Sequence, residues 1–455
     1  MKSRKLTAIL AVMAMTAGLT ACGSQAAAPQ SAAGSDTGAT EAGGVEITVT
    51  TTFAGEDTNA KNYKDAVAAW EQETGNKVSD TSATSDETFK TRVITDFETG
   101  SEPDVLFFFN GADANDFVNA GKVVSIEDIR AEFPEYASNM NDDLIAASPA
   151  DGVKYAVPVN GFWEAMFVNT KVLEEAGVSM PGADYTWDQF LADCGKIKDA
   201  GYTPIAAALG NIPHYWWEFC IFNQQSPKDH LNIPESAGDA VGEQWVKGLE
   251  DIKDLYEKGF FPDNTLSATD DETFAMFTDD KAAFLLDGSW KVGGIVGACQ
   301  SDPDDPSTLD AEKVGHFDVT YFPGKGDRKA TDLVGGLSMG YYITQKAWED
   351  PDRKDAAVSF VEYMTSDEVV PKFAQHTASA LKNAPKTDES EFNALQVKAM
   401  NMMSGVTSLT GAVQDLFNGD CRVPTFDGMP DIVEGNVAAA DAVQEGIDIY
   451  QDTLE

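Results

Sequence analysis

The sequence predicts an α/β protein with more than one lobe. The chain has 455 residues, which is too many for a single hydrophobic core. Segments with the spacing of strands and of helices alternate along it, as in parallel α/β folds. One strand-like segment is continuously apolar, which is typical of a parallel strand buried on both faces. Together these observations favour sheets that are covered by helices.

The first predicted elements are two strands and two helices. Residues 45–51 alternate and are rich in β-branched side chains, which predicts a strand. A helix follows and ends at Gly75, because glycine is favoured at helix C-termini. The residues with the spacing of a buried helix face are Tyr63, Ala66, Val67 and Trp70. Residues 103–110 form the continuous apolar strand, and residues 116–120 predict the next helix.

The same alternation continues through the rest of the chain. Thr186 and Gln189 form a capping box before a helix with a buried stripe. Thr365 and Glu368 predict the start of another helix in the same way. Residues 432–447 predict one long amphipathic segment. Further strands are predicted at residues 165–168, 282–286, 319–322 and 340–343.

The N-terminus predicts an export signal with a lipid-attachment site. Three basic residues precede an apolar run over residues 6–19, which is too short for a normal membrane span. The run ends in Leu-Thr-Ala-Cys, which resembles the bacterial lipobox, with Cys22 as the lipidated residue. We therefore predict a lipoprotein signal peptide over residues 1–21 and a flexible tether over residues 22–44. The alternative is an ordinary secretory signal with a cysteine there by chance.

Charge and composition exclude some classes of partner. The formal net charge is -43, which disfavours nucleic acid and suits a neutral or cationic solute. The four histidines are too far apart in sequence to predict a metal site, and no cofactor is expected. Four cysteines could form disulfides, because exported proteins meet an oxidising environment. The equally favoured alternative is that they are buried free thiols. The cysteines concerned are Cys194, Cys220, Cys299 and Cys421.

Several short segments together resemble one family. The resemblance lies in AAWEQETG (68–75), PDV (103–105), DGVKYAVP (151–158), FVNTK (167–171), YTWDQF (185–190) and the stretch from KAA (281–283) to GSW (288–290). In this order they are similar to the type 1 extracellular solute-binding proteins, the maltose-binding-protein-like family of ABC sugar importers. The sequence departs from the usual pattern at Val153, where the family commonly has lysine.

The resemblance implies a two-lobed, type II periplasmic-binding-protein-like fold, with a mainly parallel sheet in each lobe and a ligand cleft between the lobes. Lobe 1 would hold residues 45–157 plus 340–382, and lobe 2 would hold residues 158–339 plus 383–455. The implied protein is a monomer and not an enzyme. It would bind a carbohydrate outside the cytoplasm, remain on the membrane through Cys22, and deliver its ligand to ABC permease transmembrane subunits.

Aromatic residues are the first candidates for sugar contact, because flat rings suit the C–H patches of a sugar. The resemblance implies that Trp290 stacks on the ligand; the alternative is a tryptophan packed beneath its loop. Trp216 and Trp217 are adjacent, so one could face the cleft while the other is buried; alternatively both pack internally. Phe162 and Trp163 follow the first crossover and could contact ligand or form a wedge between the lobes.

Polar residues after strands are the second group of candidates, because buried hydrogen-bonding partners give specificity. Asn110 and Asp113 follow the continuous apolar strand, although Asn-Gly is also a turn sequence. Asp287 could bind hydroxyl groups or only cap the following helix. The remaining candidates for the ligand site are Phe53, Glu56 and Gly336.

Two other functions remain open at this point. A secreted glycoside hydrolase needs only two suitably spaced carboxylates across a cleft, and an acidic chain offers many. The same fold could instead bind a polyamine or another cationic solute, which the negative charge would suit.

Overall fold

A computed structural model of the chain describes residues 44–454 apart from 56, 303–304, 384–391 and 418. The predicted signal peptide, the lipidation site Cys22 and all but the last residue of the predicted tether lie outside the described residues, as does Glu56. None of the helices in the described part is long and apolar enough to cross a membrane.

The described strands are β1 (Glu46–Thr50), β2 (Lys77–Asp80), β3 (Val105–Phe109), β4 (Phe162–Asn169), β5 (Thr203–Ile205), β6 (Ala282–Gly288), β7 (Phe317–Thr320), β8 (Asp332–Gly336), β9 (Met339–Ile343) and β10 (Ser408–Thr410).

The described α-helices are α1 (Ala60–Thr74), α2 (Glu87–Thr99), α3 (Asn115–Asn119), α4 (Ile126–Glu132), α5 (Thr170–Glu175), α6 (Trp187–Asp199), α7 (His214–Phe222), α8 (Ala240–Glu257), α9 (Asp270–Thr278), α10 (Lys291–Gly297), α11 (Ala311–Gly315), α12 (Gln345–Glu349), α13 (Pro351–Met364), α14 (Val370–Phe373), α15 (Ala394–Ser404), α16 (Gly419–Phe426), α17 (Met429–Glu434) and α18 (Ala439–Asp452).

The first lobe is built on the sheet β2-β1-β3-β9. Strands β2 and β3 run parallel to β1, and β9 runs antiparallel to β3. Two apolar clusters cover the two faces of β3: Val105 and Phe107 belong to one, and Leu106 and Phe108 belong to the other. The continuous apolar run is thereby explained, since both faces of this strand are buried.

The second lobe is built on the sheet β10-β8-β4-β6-β5, with β7 also paired to β4. Strand β4 runs antiparallel to β6, β7 and β8, whereas β5 is parallel to β6 and β10 to β8. This sheet is therefore mixed. Helices pack on this sheet, and their apolar side chains form one large buried cluster with those of the strands. The chain passes from the first sheet to the second between β3 and β4 and returns between β8 and β9.

Most predicted elements are confirmed where their signal is local. Helix α1 buries Tyr63, Ala66 and Trp70 and ends at Gly75, whose φ is 76°. Helix α6 begins with the predicted capping box, in which the side chains of Thr186 and Gln189 each accept a hydrogen bond from the other residue's backbone amide. Strands β1, β3, β4, β6 and β9 fall within one to three residues of their predicted ends, and α3 within one.

Three predicted elements differ from the structure. Thr365 does not begin a helix: it follows the end of α13, and its hydroxyl donates to the carbonyl of Val361. The predicted single segment over residues 432–447 is two helices, α17 and α18, because the chain turns at Gly435 with φ of 79°. Strand β7 lies two residues earlier than predicted.

The core of the second lobe contains the four cysteines. Cys194, Cys220 and Cys299 are buried free thiols, and Cys421 is also buried. Burial raises the pKa of the Cys299 thiol to about 11. Cys194, Cys220 and Cys299, whose thiol pKa values are all raised by burial, are protonated at neutral pH and act as small apolar side chains.

Candidate functional site

The lobes meet where the β1–α1 connection of the first contacts the β6–α10 connection of the second. The hydroxyl of Thr58 donates to the carbonyl of Trp290 at 2.7 Å, and the Thr58 amide donates to the same oxygen at 3.1 Å. The amide of Gly293 donates to the Thr58 hydroxyl at 2.8 Å. A Cβ atom at Gly293 would lie 2.6 Å from the Cα of Thr58, so the approach requires glycine. The structure is therefore closed at this point.

Three aromatic rings lie beside this contact. The centroid of the Trp290 ring is 6.2 Å from that of Phe162 and 6.0 Å from that of Tyr215, and all three residues are half-buried. The indole lies over Gly288, where a Cβ atom would be 2.2–2.4 Å from three of its ring carbons. We call Phe162, Tyr215 and Trp290 the aromatic site. Their partial exposure leaves ring surface for a ligand.

Buried carboxyl groups adjoin the aromatic site. Glu164 on β4 is 2% exposed, and its Oε2 atom has no hydrogen-bond partner among the described residues. Asp287 at the end of β6 accepts the amide of Gly288 at 2.7 Å. Burial and then the neighbouring Asp270 raise the pKa of Asp287 to about 7. Carboxyl groups held this way can accept hydrogen bonds from hydroxyl or ammonium groups.

An ion cluster joins the lobes at a second place. The Arg422 Nη2 atom on α16 donates to Asp113 Oδ1 at 2.8 Å, and Lys90 Nζ lies 3.2 Å from Asp113 Oδ2. Glu87 Oε1 and Oε2 contact Lys90 and Arg422 at 2.9 Å and 3.4 Å. We call Glu87, Lys90, Asp113 and Arg422 the ion cluster. Asp113 is thus engaged by cations from both lobes.

The crossover between β8 and β9 is fixed from the first lobe. The Asn110 side-chain amide donates to the carbonyl of Leu337 at 3.2 Å, and its backbone amide donates to that of Ser338 at 2.8 Å. Gly336 has φ of 153°, a conformation that favours glycine. Asn110 therefore holds the crossover, and its ligand contact stays a prediction.

Three of the predicted tryptophans are fully buried. Trp216 packs against Phe190, Phe261 and Phe322 in the core of the second lobe. Trp217 packs against Trp245 and Phe426, also in that lobe. Trp163 donates its indole N–H to the carbonyl of His376 at 2.9 Å. None of these contacts offers a ligand-facing ring, so packing supports a structural role for all three.

Phe53 also belongs to a core. Its ring centroid is 4.6 Å from that of Phe107, and it contacts Tyr63 and Phe373. The residues that sequence reasoning missed are Glu164, Tyr215 and the ion cluster's Arg422. A glutamate inside an apolar strand, two residues after Phe162, was the one local signal for them. The described residues contain no group of three or more His, Cys, Asp or Glu side chains arranged to hold a metal ion.

The comparison with protein families identifies the class. The model of the bacterial extracellular solute-binding proteins matches residues 54–371, and the chain belongs to this family. Proteins of Brucella abortus and Brucella suis, named only as binding proteins, are 28% identical over 110 residues, which is 24% of this chain and 26% of theirs. That match spans about a quarter of the length of these relatives.

Solved structures show the same fold. A chitin oligosaccharide binding protein superposes with a TM-score of 0.74 at 20% identity, over 90% of this chain and 98% of that one. A bacterial solute receptor with an exclusive preference for β-D-galactopyranose gives 0.71 at 15% identity, over 91% and 100%. An ABC substrate-binding protein of Listeria monocytogenes in complex with cycloalternan gives 0.69 at 17%, over 90% and 99%. The family and these neighbours are binding proteins.

Proposed function

We propose that this chain is the substrate-binding component of an ABC importer, and that it takes a sugar or oligosaccharide into the cleft between its lobes. The observation that carries the proposal is the aromatic site, with Trp290 half-buried at the contact between the lobes and two further rings about it. The ligands of the structural neighbours, including chitin oligosaccharide and cycloalternan, support the choice of a carbohydrate.

The proposed mechanism is closure of the two lobes around the ligand. A ligand that touches both lobes only in the closed form shifts the population towards that form. The Thr58–Trp290 hydrogen bonds supply part of the closed interface without ligand. The closed monomer would then dock on the permease transmembrane subunits and release the sugar there.

We further propose that lipid on Cys22 holds the protein at the extracytoplasmic face of the membrane. Metabolic labelling with a radioactive fatty acid tests this: the wild-type chain should be labelled and found with membranes. A Cys22→Ala variant should be unlabelled. Equal labelling of both chains would contradict lipidation at this residue.

Calorimetric titration against mono- and oligosaccharides tests the binding function. We expect at least one sugar to bind with a dissociation constant in the micromolar range, about -8 kcal/mol. The same sugars, together with chromogenic glycosides, are then incubated with the protein and examined for products. Turnover would favour a hydrolase, and no binding across the panel would contradict the sugar-carrier proposal.

A further inference from the structure

Glu164 is an unusual residue for the centre of a sheet. It is 2% exposed, and its Oε2 atom has no hydrogen-bond partner among the described residues. An unpaired buried acid costs free energy. Burial raises the pKa of Glu164 well above its usual range, so a proton neutralises the acid when no cation is bound. A bound cation could replace that proton and pair with the carboxylate.

The carboxyl group of Glu164 is on the same face of its sheet as the aromatic site. Glu164 pairs with Gly288 across the β4–β6 ladder, and residues opposite each other project to the same face. The Trp290 indole fills the space that a Gly288 side chain would occupy. Phe162 precedes Glu164 by two residues and therefore shares this face. The acid consequently lies at the base of the aromatic site.

The surroundings of Glu164 are negative. After burial itself, Glu218, Asp415 and Asp287 are the groups that raise the pKa of Glu164. Tyr215, the third ring of the aromatic site, lies close enough to Asp287 and Glu164 for these acids to raise its own pKa as well, again after burial.

The nearby cations are already engaged with other acids. Lys291 lies 2.6 Å from Asp270 and 3.9 Å from Asp287, and His230 contacts Glu218. A neutral hydroxyl could donate to Glu164, but it would not offset the repulsion that the ionised form of Glu164 meets from these acids. A cation would remove the repulsion, and the aromatic faces would attract it further.

We propose that the cleft binds a solute carrying a protonated primary amine, and that the ammonium group pairs with Glu164 within the aromatic site. This inference rests on the proposed carrier function and specifies its substrate class as amine-bearing. The amine could belong to an amino sugar or to a linear polyamine. Both supply the same ammonium group, and the experiment below separates them.

Calorimetry with matched ligands tests the inference. Chitosan disaccharide, N,N′-diacetylchitobiose and cellobiose share their linkage and differ in having an amine, an acetamide or a hydroxyl at C2. Any other neutral sugar that binds is compared with its amino-substituted analogue, and spermidine represents the linear amines. We expect the amine-bearing ligand to bind at least about tenfold tighter than its neutral partner, since charged hydrogen bonds are the stronger class.

Glu164→Gln should remove that tenfold preference, because an amide has a similar shape but no negative charge with which to pair an ammonium group. Glu250→Gln, an exposed position on α8, makes the same change in net charge and should alter neither affinity. If Glu164→Gln does not fold, the wild-type comparison alone decides.

The outcomes separate the two proposals. Equal or weaker binding of the amine-bearing sugar overturns the amine inference and leaves the sugar carrier intact. Binding of spermidine without any sugar upholds amine recognition and ends the sugar-carrier proposal. Failure of every amine to bind overturns the inference, whatever the neutral sugars do.

Discussion

Two of the places where the lobes meet differ in how their charged groups are paired. In the ion cluster, Asp113 receives Arg422 from the second lobe and Lys90 from the first. At the aromatic site, Glu164 has an oxygen without a partner, and the rings are only half-buried. The charges of the ion cluster are paired within the chain, whereas the aromatic site has ring surface and a buried carboxyl group that a ligand can contact.

The pKa of one acid at each place is shifted, and the two shifts have opposite directions. Burial works against ionisation of Glu87, but Lys90 and Arg422 overcome it and lower its pKa to about 2. Asp287, beside the aromatic site, has its pKa raised to about 7 by burial and by Asp270. Under the proposed function, the ion cluster would favour closure and the aromatic site would recognise the solute.

The largest expected effect comes from Trp290→Ala. Removal of the central ring should weaken binding of the tightest solute of the panel by about 2–3 kcal/mol, or roughly 30- to 150-fold. Trp348→Ala, which removes a half-buried indole from the first lobe, should leave affinity unchanged. Titration calorimetry measures both. An unchanged affinity in the Trp290 variant would contradict a role of the aromatic site in ligand binding.

Arg422→Met should act on closure rather than on contact with the solute. Without the guanidinium group the ion cluster no longer joins the lobes, so the open form gains population and affinity falls about tenfold. Small-angle scattering of the unliganded variant should show a larger radius of gyration. Arg353→Met is the matched control, because the Arg353–Asp104 pair lies within the first lobe. Identical scattering of both variants would contradict the assignment.

The raised pKa of Asp287 predicts that the protein loses stability as pH rises through 7. The folded state holds this proton more tightly than the unfolded state, whose carboxyl pKa is near 3.8. Its contribution to the free energy of unfolding is therefore full below pH 3.8 and declines as pH rises towards and past 7. From pH 6.5 to 8 the loss is about 0.8 kcal/mol.

Denaturant unfolding at the two pH values measures this loss. Asp287→Asn should reduce the decline by that amount, and Glu250→Gln should leave it as in wild type. A decline of the same size in the Asp287 variant would show that other groups produce it.

The smallest expected effect on binding is that of Trp216→Phe. Because Trp216 packs among three phenylalanines in the second lobe, affinity should stay within about twofold. The free energy of unfolding should fall by about 1–3 kcal/mol through lost packing. A tenfold loss of affinity with unchanged stability would indicate that Trp216 contacts the ligand.

Local patterns account for the predictions that succeeded. The capping box at Thr186 and Gln189 involves residues three positions apart, and the helix stop at Gly75 needs only its own backbone. The same kind of pattern gave a wrong prediction where contact with a neighbouring element determines the local structure. Thr365 has the spacing of a helix start, yet its hydroxyl satisfies the end of the preceding helix.

The site was less predictable than the fold. Trp290 could be named from the family resemblance and Phe162 from its place after the first crossover, and the structure brings the two rings together. Trp216 and Trp217 carried the same signal but are both buried. Whether a ring faces a core or a cleft depends on what packs over it, and that information is not in the flanking residues.

The sequence by itself determined the α/β class, the order of most strands and helices, and the family, because these depend on periodicities and motifs within short segments. Only the tertiary structure decided which residues form the interlobe contacts. Arg422 and Asp113 are 309 positions apart, and Thr58 and Trp290 are 232 apart. No local pattern encodes such a pairing, because it arises when two separately packed lobes close on each other.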